Sequence, residues 1–126
     1  MIAVEVSNRS GIEVDADAAS ALAREVLASE GVEEGELGLI FVGPDEIRAL
    51  KHEHLGINEP TDVLSFPIDE SGPSAGPREL GDIVIAPEHT TDLREAIVHG
   101  ALHLAGMDHE ADDGEMLALQ REILSW

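Results

Sequence analysis

The chain of 126 residues carries 27 acidic side chains against 7 basic ones, a formal charge of -20, with two phenylalanines, one tryptophan and no cysteine. That length fits a single domain over residues 1–126 with one aliphatic core, and the missing cysteine excludes disulfides and thiolate zinc sites. So acidic a chain should lack a broad basic patch for gripping nucleic acid; the charge reads either as a solvating surface or as adaptation to a salty interior.

"IAVEVSN" alternates apolar and polar residues, a strand signal. From Asp15, a plausible cap, Ala18, Leu22 and Val26 recur every four residues up to Gly31 and predict a helix. "LGLIFVG" reads as a buried strand broken by Pro44, after which Asp45 opens a short helix through "EIRALKHEHLG". "TDVLSFP" is a strand stopped by Pro67, "DESGPSAGPRE" a loop, and "LGDIVIAP" a fourth strand. A helix is predicted from about residue 90 to residue 105, and a last one from near Asp112 or Asp113, with Met116, Leu119 and Ile123 on one face. The fold class is α+β: a single sheet of about four strands with helices packed on it. No apolar run approaches the length of a bilayer span, and "MIAVEVSNRS" lacks the pattern of a signal peptide. A soluble, cytoplasmic protein is expected.

The stretch "VHGALHLAGMDHE" concentrates three of the chain's six histidines, His99, His103 and His109, into eleven residues. His99 and His103, four apart on a helix, have side chains roughly 5–6 Å apart on one face. Their segment is otherwise apolar or glycine, so both should be buried and in need of partners. Gly106 can end the helix in a left-handed cap, letting the chain bring His109 back toward the same point. Three neutral imidazoles with an open fourth position describe a catalytic zinc site, one Zn²⁺ per chain, at the end of a helix in the C-terminal half; the alternative is that they are core histidines satisfied by packing and hydrogen bonds. Zinc peptidases of the H-E-x-x-H kind place a glutamate directly after the first histidine as general base, and here that position is Gly100.

With these residues in place, "HGALHLAGMDH" resembles the H-G-x-L-H-L-x-G-x-D-H signature of the YbeY family, bacterial metal-dependent endoribonucleases of ribosomal RNA maturation. "PTDVLSFP" and "LGDIVI" are similar to further blocks of that family in sequence and order, and "ADDGEMLALQREIL" to its C-terminal helix. The resemblance covers most of the chain beyond about Leu37. It implies a zinc-binding α+β fold, with His99, His103 and His109 as metal ligands. It also implies hydrolysis of single-stranded RNA by zinc-bound water, acting in 16S ribosomal RNA 3′-end maturation and ribosome quality control. The partners it implies are the small ribosomal subunit, its proteins and a ribosome-associated GTPase.

Two departures stand out. Where family members commonly carry an arginine suited to phosphate, this chain has Leu55, while Lys51, its single lysine, lies one turn earlier on the same face as a candidate phosphate contact or catalytic cation. The segment "APEHTTDLREAIV" before the histidine helix is also shorter than in typical members. Ser65 is a candidate substrate contact, Asp108 a candidate for orienting an imidazole, and Asp62 either a cleft carboxylate or a strand-end cap. His52 and His54, two apart, face different ways; His89 reads as surface or as cleft lining. Two rival functions stay open: a non-catalytic ribosome assembly factor with a structural metal, and a zinc hydrolase of another substrate.

Overall fold

The computed structural model describes residues 2–32, 34–56, 63–67, 79–90, 92–107 and 113–125. β1 (Ile2–Asn8) alternates as its sequence demands, with Ile2 buried, Val4 and Val6 half-buried, and Ala3, Glu5 and Ser7 exposed. α1 (Ala16–Ser29) starts where Asp15 accepts a hydrogen bond from the Ala18 N–H at 3.0 Å, satisfying one donor that the first turn leaves open. Its buried stripe is Ala19, Ala23, Val26 and Leu27. Asp15→Ala is expected to cost about 1 kcal/mol, lowering the thermal midpoint by about 3–5 °C in a scan followed by circular dichroism.

α1 carries the chain across to β2 (Gly35–Phe41), which pairs parallel with β1, Ile2 opposite Gly35 and Asn8 opposite Phe41. α2 (Pro44–Leu55) begins one residue earlier than its acidic first turn implied, because Pro44 itself occupies the first turn, where its missing N–H costs nothing. The helix ends at Gly56, whose φ of 71° is the left-handed cap conformation. β3 (Val63–Pro67) lies antiparallel to β4 (Glu79–Ile85), and β4 lies parallel to β2, giving the order β1-β2-β4-β3.

The two faces of this sheet hold different helices. Leu37, Leu39, Phe41, Ile83 and Ile85 face α1 and α3 (Leu93–Leu104), with Met116 and Ile123 of α4 (Glu115–Leu124) closing the same core. Val84 and Leu64 face the other way, toward Ile47 of α2. The expected α+β sheet of four strands with packed helices is what the chain forms.

The starts of α3 and α4 also differ from the sequence reading, and Glu79, read as the end of a loop, opens β4. α3 starts at Leu93 because Pro87–His89 forms a separate 3₁₀ turn, and Asp92 then caps the helix by accepting from the Glu95 N–H at 3.3 Å. α4 starts at Glu115 because Gly114, at φ 102°, takes a left-handed conformation just before it. The loop expected at "DESGPSAGPRE" lies outside the described residues except for Glu79, as do Asp62 and Asp112. Among the described residues no helix is long and apolar enough to cross a membrane.

Candidate metal centre

α3 is apolar and buried along most of its length after the first turn. Ala96, Ile97, Val98, Gly100, Ala101, Leu102 and Leu104 are buried, while His99 and His103 are half-buried rather than enclosed as expected. The helix lies so close to β4 that a Cβ at Gly100 would sit 2.5 Å from Ile83 Cγ2 and 3.3 Å from Ser65 Oγ. The position after the first histidine is therefore turned into the sheet, and a glutamate there would meet Ile83 instead of a substrate. Ser65 faces the same seam, its hydroxyl donating to the Gly100 carbonyl at 3.4 Å.

The C-terminal end of α3 shapes the site. The Gly106 N–H donates to the His103 carbonyl at 3.0 Å and the Met107 N–H to the Leu102 carbonyl at 3.1 Å, the paired bonds of a Schellman cap, with Gly106 at φ 101°. This reversal brings the Met107 carbonyl to His103, whose Nδ1–H donates to it at 3.0 Å. From α4, Gln120 Oε1 accepts from His99 Nδ1–H at 2.9 Å. With each Nδ1 committed as donor, each Nε2 presents a lone pair, and the two Nε2 atoms converge to 3.2 Å. The rings meet edge to face, centroids 4.7 Å apart at 77°.

That convergence fits a metal. Two nitrogens bound to tetrahedral zinc at about 2.0–2.1 Å lie about 3.3–3.4 Å from each other. Imidazoles held by an outer hydrogen bond on the second nitrogen are the usual form of a zinc ligand. No group of three potential ligands occurs among the described residues, and His109 and Asp108 lie outside them.

Beside His99 opens a cavity of about 250 Å³, lined also by Gln120, His89, Thr90, Asp92 and Glu95. His89 is exposed and lines this cavity, so both sequence readings of it hold at once. Two carboxylates in its lining, Asp92 and Glu95, favour a cation there and oppose a phosphate. A larger hollow of about 350 Å³ lies on the other face of the sheet, where Asp82 covers Gly38 and Glu5 and Glu36 join the lining. It offers no imidazole and is apart from the histidine chemistry.

Lys51 and Leu55 belong to α2, on the sheet face opposite α3, with Lys51 half-buried and Leu55 exposed. The structure does not bring them beside the histidine pair. His54, also on α2, packs its ring against Phe66 at 4.9 Å, and His52 is exposed.

Residues 4–126 match the family model described as Endoribonuclease YbeY. The chain belongs to the YbeY family. A Salinispora tropica relative named Endoribonuclease YbeY is 40% identical over 151 aligned residues, covering 99% of this chain and 96% of its own. Relatives of the same name from Mycobacterium sp. strain KMS and Streptomyces griseus are 37% and 38% identical, covering 98% of this chain and 82% and 88% of theirs. The solution structure of TM1509 from Thermotoga maritima superposes with a TM-score of 0.58 at 25% identity, covering 96% of this chain and 86% of that one. The 151 aligned positions of the Salinispora YbeY exceed the 126 residues here, so that relative has internal segments without a counterpart in this chain.

Proposed function

We propose that this YbeY-family chain is a zinc-dependent endoribonuclease of single-stranded RNA, with His99, His103 and His109 as the metal ligands. The observation carrying this reading is the meeting of His99 and His103 Nε2 at 3.2 Å, each ring anchored through its Nδ1. When bound, the ion supplies Lewis acidity toward water and toward a phosphodiester oxygen. The protein's own part is to orient: Met107 and Gln120 hold the imidazoles, and Asp92 and Glu95 keep the RNA backbone out of the adjoining cavity. Lys51 enters the reading as a substrate contact that would have to come round the edge of the sheet. Ser65, its hydroxyl donating to the Gly100 carbonyl in the seam between α3 and the sheet, could meet substrate only by giving up that bond.

The substrate that fits this reading is 16S ribosomal RNA near its 3′ end, with a further role in ribosome quality control. A chain of formal charge -20 binds free RNA poorly, because it gains little from counterion release. Delivery on the small ribosomal subunit, by its proteins or a ribosome-associated GTPase, answers that difficulty. The rival docking role has one observation in its favour: Leu55 stands exposed where a phosphate-binding arginine would be expected.

The test is elemental mass spectrometry of the purified chain beside cleavage of a single-stranded RNA before and after chelation. One zinc per chain is expected, with cleavage abolished by chelation and restored by stoichiometric zinc. Cleavage that survives complete metal removal, or a chain that takes up no metal, overturns the reading. Zinc without any cleavage supports the docking role instead.

A further inference from the structure

α4 docks on α3 through a buried stripe of Met116, Gln120 and Ile123, one face of a helix at intervals of four and three. Two of these are apolar core residues. The third is a carboxamide only 8% exposed, in the middle of the stripe. An apolar side chain would pack there without the penalty of burying a polar group, a penalty removed only by a hydrogen bond. Breaks of this kind in a local pattern mark functional positions. The partner is His99 Nδ1–H, at 2.9 Å from Gln120 Oε1.

We infer that Gln120 is a positioning residue of the metal centre: its amide oxygen fixes His99 with the proton on Nδ1 and its Nε2 toward His103, so that the docking of α4 sets metal affinity. The inference rests on the proposed metal site, and adds to it a residue of α4, the helix that follows the histidine motif. The two imidazoles are held differently. His103 Nδ1 answers to a main-chain carbonyl of its own helix cap, which no substitution removes, whereas among the described residues His99 Nδ1 answers to the side chain of Gln120.

The test compares zinc affinity, by chelator competition, in wild type, Gln120→Glu, Gln120→Leu and Gln120→Asn, together with the ¹⁵N shifts of the His99 ring in metal-free protein. Wild type and Gln120→Glu are expected to show His99 protonated on Nδ1 and to bind zinc at least equally well, since a carboxylate is an equal or better acceptor. Gln120→Leu, without an acceptor, and Gln120→Asn, one methylene too short, are expected to lose about 10–100-fold in affinity. Should Gln120→Leu fail to fold, Gln120→Asn carries the comparison. Wild-type affinity in the folded variants that lack the acceptor, or equal loss in Gln120→Glu, overturns the inference. So does a wild-type His99 protonated on Nε2, a result that reads the same whether or not the chain takes zinc. A wild type with the Nδ1 proton but no zinc affinity would refute the proposed function and the claim on metal affinity together, and would leave only the tautomer lock.

Discussion

His103→Ala is expected to purify with little or no zinc and to cleave single-stranded RNA roughly 10²–10³-fold more slowly than wild type. That range is what losing several kcal/mol of metal-ion stabilisation does to a rate. The substitution removes one of the two nitrogens that meet at 3.2 Å, and with it the anchor to the Met107 carbonyl. Elemental mass spectrometry and cleavage on the same preparation check it. His52→Ala, an exposed histidine on α2, should keep both zinc and cleavage and serves as the control. A His103→Ala protein that holds wild-type zinc would place the metal elsewhere. Retained zinc with lost cleavage would separate metal binding from this pair.

The second large effect is on stability and falls at Gly100. In an ordinary exposed helix, Gly→Ala is favourable by up to about 1 kcal/mol. Here the added methyl would stand 2.5 Å from Ile83 Cγ2 and 3.2 Å from Cγ1, and Ile83 is fully buried between α3 and the sheet. Overpacking of that kind costs about 1–3 kcal/mol, so Gly100→Ala should lower the thermal midpoint by several degrees. Its sign should reverse against Ile83→Ala. The cavity left by that change, itself worth about 2–5 kcal/mol, takes up the new methyl, and the double mutant should recover part of the loss. A thermal scan of the four proteins decides it; strictly additive effects would mean that the two residues do not meet.

Gly100 also shows what the sequence can and cannot convey. The absence of a glutamate after His99 is plain in the sequence, but its cause, the direct seating of α3 on Ile83, needs the register of helix on strand. The pairing of His99 with His103 was legible because helical spacing fixes it. Their outer partners were not equally so. Met107 follows from the cap at Gly106, a local signal, whereas Gln120 lies 21 residues beyond His99 and meets it only through the packing of α4. The sheet's four strands could be read from alternation and turn residues, yet alternation says nothing about order. Lys51 illustrates the gap most clearly: its face of α2 was readable, but not that α2 would lie on the sheet face away from α3.

The strand order has a consequence for synthesis on the ribosome, where the chain emerges from its N-terminus. β1, α1 and β2 can assemble as soon as they appear, since β1 and β2 pair directly. β3 emerges with nothing to pair with, because its ladder neighbour is β4, and β4 is also what covers the open edge of β2. A single late strand thus joins two pieces that cannot recognise each other. Until it arrives, a nascent chain exposes two more unpaired strand edges than the finished sheet does, the form most open to wrong pairing and to capture by a chaperone. The helix bearing the histidines follows directly, and lands on a surface completed one element earlier.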